Sequence, residues 1–206
     1  MKYNFDETPD HRKNASYRWG MEDMPENVIG MGTADLDYYC APCIREALVP
    51  IAEENCYNYR QHTQEYYDAV TGWYERKYGL KIEKDWLSNV PSTIGAVRMA
   101  LEIFAKPGDA ILVQTPVFGP LKWAVEGAGQ TLIANPLKPV EGHYELDFED
   151  FEEKIKTYHP SLYLMVNPHN PTGRVFTKAE LERLVDICYR YGVKIVSDEV
   201  HCLVIY

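Results

Sequence analysis

The chain has 206 residues, enough for one ordinary domain with a sizeable core. Its formal net charge of −10 argues against non-specific binding to nucleic acid or an anionic membrane surface. With 46% hydrophobic and 25% charged residues it is globular rather than disordered, and no apolar run approaches the length of a membrane span.

Residues 1–40 read as irregular, polar and aromatic. The opening Met1-Lys2-Tyr3-Asn4-Phe5-Asp6 shows no apolar signal region, so a cytoplasmic protein is expected. Five cysteines, Cys40, Cys43, Cys56, Cys188 and Cys202, are an odd number with no secretion signal, which argues against a disulfide framework. Cys40-Ala41-Pro42-Cys43 is a lone C-x-x-C. It has no second ligand pair for zinc and no preceding strand for a thioredoxin-like motif, so neither a metal nor a redox role is expected.

From Pro42 onward helical and strand patterns alternate. Gln64 to Tyr78 carries Tyr67, Val70, Tyr74 and Tyr78 near helical spacing, with Gly79 as a stop. Ala96 to Ala105 predicts a helix ended by Lys106-Pro107-Gly108-Asp109, and Ala110 to Gln114 a short buried strand. Phe118 to Gly127 predicts a helix and Gln130 to Ala134 a strand. Asp147 opens a helix whose acidic first turns suit the macrodipole. Leu162 to Val166 is a short, unbroken apolar run, a strand. Thr177-Lys178-Ala179-Glu180 is a capping box that opens a helix to about Tyr191. Gly192 ends it, and Val193 to Ser197 is the last strand. This alternation predicts an α/β fold, a mainly parallel sheet in a three-layer α/β/α arrangement.

Two short runs carry the chemistry. Asn167-Pro168-His169-Asn170-Pro171-Thr172-Gly173 follows one strand and Ser197-Asp198-Glu199-Val200-His201 closes the next. Successive strands of a βαβ unit are parallel, so both runs emerge at the C-terminal edge of one sheet, where open α/β sheets bind ligands. Asn170 brings an amide there and Asp198 a carboxylate. Taken alone, Asn170 could also be a turn residue and Asp198 a helix cap or half of a surface pair. Pro91-Ser92-Thr93-Ile94-Gly95-Ala96 stands before a helix, where free N–H groups attract phosphate, although Ser92 also reads as an ordinary N-cap. Phe118, in Thr115-Pro116-Val117-Phe118-Gly119, suits either the core or stacking on a flat ring. No G-x-G-x-x-G or G-x-x-x-x-G-K-[ST] pattern is present, which disfavours a plain nucleotide-binding domain.

Asn-Pro-x-Asn-Pro-Thr-Gly followed by Ser-Asp-Glu-Val-His resembles the fold type I enzymes that use pyridoxal 5′-phosphate (PLP). It is most similar to the cystathionine β-lyase (MalY/PatB-like) branch of the class I/II aminotransferase superfamily. The resemblance implies that the Thr93 and Ile94 N–H groups hold the cofactor phosphate and that Phe118 stacks on the pyridine ring. It implies too that Asn170 and His201 lie beside the phenolic oxygen, and that Asp198 faces the pyridine nitrogen and keeps it protonated. Tyr59, in Tyr57-Asn58-Tyr59-Arg60, matches the tyrosine that reaches the phosphate of a partner subunit, which implies a homodimer. Phe5-Asp6 with Arg12, Ser16, Arg18 and Trp19 matches an N-terminal segment of the branch. Thr33-Ala34-Asp35-Leu36-Asp37-Tyr38 matches a turn near the substrate, with Asp35 as its contact.

The resemblance runs from about residue 5 to the last residue and covers half of a family member. It divides the chain into an N-terminal arm or small-domain segment, 1–45, and the N-terminal part of the PLP-binding large domain, 46–206. The Schiff-base lysine of the family would lie beyond Tyr206, and the lysines present, from Lys2 to Lys194, all precede Asp198. The expectation is a truncated half of a carbon–sulfur β-lyase. The full enzyme would release pyruvate, ammonia and a thiol from cystathionine or a cysteine S-conjugate. The half alone would be inactive, with an unpaired sheet edge and exposed apolar surface. An aminotransferase of the same superfamily and a non-catalytic binding or regulatory remnant of the fold are the alternatives.

Overall fold

The computed structural model describes residues 3–13, 16–19, 25 and 27–205. Met1 and Lys2, the start of the stretch read as lacking a signal, lie outside the described residues, as does Tyr206. The chain divides into two compact units, Met1–Lys81 and Ile82–Tyr206.

The first unit holds helices α1 (Pro42–Glu53) and α2 (Gln64–Tyr78). The Thr63 hydroxyl oxygen accepts the Tyr66 N–H at 3.4 Å and starts α2, and Gly79, at φ 66°, ends it in the left-handed conformation that a glycine adopts without strain. None of the described residues in this unit is fully buried.

The second unit holds α3 (Thr93–Phe104), β1 (Ala110–Thr115), α4 (Gly119–Gly127), β2 (Thr131–Pro136), β3 (Lys138–Val140), β4 (His143–Glu145), α5 (Phe148–Tyr158), β5 (Leu162–Val166), α6 (Lys178–Tyr191) and β6 (Lys194–Asp198). Four strands form a parallel sheet in the order β2-β1-β5-β6, while β3 and β4 pair antiparallel by themselves. The expected parallel α/β architecture is present. The three-residue β3 and β4 are additions that the sequence patterns did not signal.

Period-two alternation splits the core into two layers. Ile111, Val113, Leu162, Leu164 and Val166 point to one face of the sheet and pack on Val97 and Leu101 of α3 and Leu121, Ala124 and Val125 of α4. Leu112, Tyr163 and Met165 point to the other, onto Phe151 and Ile155 of α5 and Leu184, Ile187 and Cys188 of α6. β5 is buried on both faces, as its unbroken Leu162-Tyr163-Leu164-Met165-Val166 requires. Each fully buried Leu, Ile or Phe contributes about 1.5–3 kcal/mol.

One polar chain crosses the α5/α6 layer. Tyr163 O–H donates to Gln114 Oε1 at 2.6 Å, and Gln114 Nε2 donates to Asn135 Oδ1 at 3.1 Å. Asn135 Nδ2 donates to Asp150 Oδ2 at 2.7 Å, and Asp150 is paired with Lys154. Each buried polar group of the chain is thereby matched, and the run ends on an ion pair at the surface of α5.

The α6 capping box forms as expected, with the Thr177 side chain on the Glu180 N–H and the Glu180 carboxylate on the Thr177 N–H. Cys188 on the same helix is fully buried, and burial pushes its thiol up to about 12, so it stays protonated and unreactive in the native state. Iodoacetamide at pH 8, followed by peptide mass spectrometry, is expected to modify the exposed Cys40, Cys43 and Cys56 of the folded chain and to spare Cys188 until urea is added. Modification of Cys188 at the same rate as the exposed thiols in native buffer would show that the α5/α6 layer opens readily.

Candidate functional site

The short connection from α3 to β1 keeps the end of α3 beside the start of β1. The helix therefore runs back along the sheet, and its 12 residues span roughly 18 Å, which carries its N-terminus to the C-terminal edge. Ser92 caps it, with Oγ accepting the Gly95 N–H at 3.0 Å. The helix starts at Thr93, three residues before the expected Ala96, because this cap closes the first turn early. Thr93 and Ile94 thus lie within that turn, half-buried, and helical geometry leaves their N–H groups without intrahelical acceptors.

The other expected residues of this unit lie at the same edge. Phe118 is the N-cap residue of α4 rather than part of the helix, and its ring is 41% exposed. Its N–H donates to the Asn170 carbonyl at 3.2 Å, which joins the turn after β1 to the loop after β5. Asp198 is the last residue of β6, in register with Val166, and its carbonyl accepts the Asn167 N–H at 3.0 Å. It shares the parity of Val196 and so faces the α3 side of the sheet. Asp198 is buried, and the one hydrogen bond recorded for its carboxylate is the Val200 N–H at 3.2 Å. No cation pairs with it among the described residues. His201 is half-buried in the turn that follows.

A histidine that the sequence reading passed over sits within this edge. His169 is 2% exposed, with Nδ1 2.9 Å from Thr172 Oγ1. Burial pushes its pKa down to about 4, so the ring is neutral at physiological pH. A histidine with a depressed folded pKa contributes full stability above its ordinary value of 6.5. That contribution is lost as pH falls toward 4, because the unfolded chain takes up the proton first.

Tyr59 and Asp35 belong to the first unit. Tyr59 is fully exposed. Asp35 accepts the Ser16 hydroxyl at 3.0 Å, Asp37 accepts Trp19 Nε1–H at 3.2 Å and pairs with Arg18, and Phe5 meets Tyr38 edge-on at 6.3 Å. The two N-terminal motifs, separate in the sequence, are one hydrogen-bonded cluster in the fold. Nothing in their spacing signals it.

The family model described as aminotransferase class I and II matches residues 26–206. The chain belongs to this family. Among curated members, it is 34% identical to cystathionine beta-lyase PatB of Bacillus subtilis (strain 168), over 96% of the chain and 52% of that protein. It spans about half the length of the curated relatives it matches. Among solved structures, cystalysin from Treponema denticola, which contains a pyridoxal 5′-phosphate cofactor, superposes with a TM-score of 0.89 at 29% identity, covering 97% of this chain and 52% of cystalysin. The PLP-bound C-S lyase from Staphylococcus hominis gives 0.87 at 29% identity, covering 98% and 52%. These family relatives share the three-layer α/β/α sheet. No helix among the described residues is long and apolar enough to cross a membrane.

Proposed function

We propose that this chain contributes the cofactor-facing half of a PLP-dependent carbon–sulfur β-lyase. The observation that carries the reading is Asp198, a buried carboxylate at the C-terminal sheet edge with no cation beside it. A buried charge left this way is costly unless a positive partner arrives, and a protonated pyridine nitrogen is such a partner. The remaining groups suit the same guest. The open first turn of α3 offers the Thr93 and Ile94 N–H groups to a phosphate, the exposed Phe118 ring offers a stacking face, and Asn170 offers an amide to a phenolic oxygen. His201 joins Asn170 in this reading.

Bound there, PLP would withdraw electrons from a substrate α-carbon. The protein's part is to hold it. Asp198 would keep a proton on the ring nitrogen, the Thr93 and Ile94 N–H groups would hold the phosphate, and Phe118 would stack on the ring. By resemblance to the family, this reading assigns Asp35 to the amino-acid substrate and Tyr59 to the phosphate of a second subunit in a cytoplasmic homodimer. Residues 1–45 form the arm and 46–206 the first part of the cofactor domain. Within these residues no lysine follows Asp198, so the chain alone binds PLP without covalent attachment and performs no elimination.

Two measurements test this. The purified chain is expected to quench its tryptophan fluorescence on titration with PLP, and borohydride treatment is expected to label no single lysine. A stoichiometric label on one defined lysine would refute the non-covalent reading, and absence of saturable binding would refute the site. The gene joined to a lysine-bearing remainder is expected to release pyruvate from cystathionine. Transfer of its amino group to a keto acid would instead assign an aminotransferase.

A further inference from the structure

The loop that carries Asn170 is closed by two rungs. At its base the Phe176 N–H donates to Asn167 Oδ1 at 2.9 Å. Nearer the tip the His169 N–H donates to the Arg174 carbonyl at 2.7 Å, and the Gly173 N–H donates to the His169 carbonyl at 2.8 Å. Asn170 therefore rides on the turn between His169 and Arg174, and a shift of either end shifts its amide. The outgoing end is fixed by the sheet: Asn167 follows β5, and its N–H donates to the Asp198 carbonyl at 3.0 Å. The returning end, residues 174–176, belongs to no strand, so a side chain has to hold it.

Arg174 supplies that anchor. Its side chain is only 18% exposed, and its two terminal nitrogens reach two different elements. Nη1 donates to the Tyr144 carbonyl of β4, and Nη2 donates to Glu180 Oε1 in the first turn of α6. The Glu180 carboxylate serves both neighbours without conflict, because its other oxygen, Oε2, accepts the Thr177 N–H of the capping box at 2.8 Å. The guanidinium carbon also lies 5.8 Å from the centre of the Phe176 ring, beside the base rung. A planar fork with donors in fixed directions suits a bridge of this kind, and a pair so shielded from water is little screened by salt. On the tip, the Asn170 carbonyl accepts the Phe118 N–H at 3.2 Å, a bond in which Arg174 takes no part.

We propose that Arg174 is a positioning residue: with the Tyr144 carbonyl and the Glu180 carboxylate it clamps the returning end of the loop, and so fixes the Asn170 amide at the sheet edge. The β3–β4 hairpin and the α6 cap then share a task, the support of that loop. What the amide does there rests on the cofactor reading above. The clamp itself does not.

The test uses the 206-residue chain. Arg174→Met, which keeps the stem and removes the donors, is expected to speed amide exchange at His169, Gly173 and Phe118 roughly two- to tenfold and to leave the β5 amides unchanged. PLP binding is expected to weaken by a factor of the same size. The Phe118 amide decides, because it reports the place of Asn170 rather than the state of α6. Wild-type protection at Phe118, or a uniform rise across the whole sheet, overturns the proposal. Arg174→Lys has one ammonium for two partners and is expected to fall between the wild type and Arg174→Met, and full protection in it overturns the two-way bridge. Glu180→Gln keeps an oxygen for the capping box but turns an amide toward the guanidinium. It is expected to speed exchange at the same amides with α6 intact, and the double variant is expected to fall short of the sum of the two. Additive effects overturn the bridge. If the wild-type chain fails to bind PLP, the cofactor reading falls, and exchange at Phe118 still decides the role of Arg174. Should Arg174→Met not fold, Glu180→Gln decides it at the same amide.

Discussion

Asp198→Ala is expected to weaken PLP binding to the chain by about 10- to 150-fold and to leave the thermal midpoint of the PLP-free protein unchanged or higher. The two halves of this expectation have one cause. The carboxylate is buried at the end of β6 with a single recorded N–H donor, from Val200, and no cation. Removing it deletes a charge-assisted bond to the incoming pyridine nitrogen, which is worth about 1.5–3 kcal/mol. It also removes a buried side chain that no cation pairs with among the described residues, so the unliganded fold loses little. Asp198→Asn separates charge from shape, because the amide fills the same space without holding the ring proton. Its complex is expected to lose the protonated-pyridine absorption near neutral pH and recover it in acid. Titration of PLP fluorescence with differential scanning calorimetry on each variant checks both halves. Retained affinity in Asp198→Ala would remove Asp198 from the site. A large fall in midpoint with equal affinity would make it a plain structural residue.

What could be read from the sequence was local. The Thr177 capping box, the Gly79 and Gly192 stops and the strand Leu162–Val166 each follow from chemistry within a few residues, and the fold agrees with them. The meeting of Asn170 and Asp198 at one edge was legible as well, since chirality and parallel pairing leave a βαβ unit little choice. Errors arose where a signal was ambiguous or remote. The start of α3 reads as a turn because Thr93-Ile94-Gly95 has weak helix propensity, and the Ser92 cap overrides it. The β3–β4 hairpin escaped because Pro139 sits in a three-residue strand and the turn depends on Glu141 and Gly142 at positive φ. His169 escaped because burial, not spacing, singles it out: its ring contact, Thr172, is a near neighbour of a kind that any turn residue can have. The union of Ser16 and Arg18 with Asp35 and Asp37 has no periodicity to betray it.

Phe151→Ala is expected to destabilise the chain by about 3–5 kcal/mol. Phe151 is fully buried on α5 and meets the Tyr163 ring edge-on, with centroids 5.0 Å apart and planes at 76°. Truncation therefore removes the transfer energy of a ring, leaves a cavity, and withdraws an aromatic contact worth about 0.5–1.5 kcal/mol. Tyr163 cannot swing into the gap, because its hydroxyl is held by Gln114 and its backbone is paired within the sheet. A site that cannot collapse pays the full cavity term. Urea denaturation should show this as a lower midpoint with an unchanged slope. Phe151→Leu is expected to recover more than half of the loss, since it refills most of the volume. A loss under about 1 kcal/mol in Phe151→Ala would mean that α5 repacks, and that Tyr163, Gln114 and the edge they support are less firmly held than their bonding implies. Its consequence for binding is also definite. Gln114 stands directly before Thr115 and the Phe118 turn, so a loosened α5 layer should weaken PLP affinity in proportion to the population that opens, while Asp198→Ala weakens it with the fold intact.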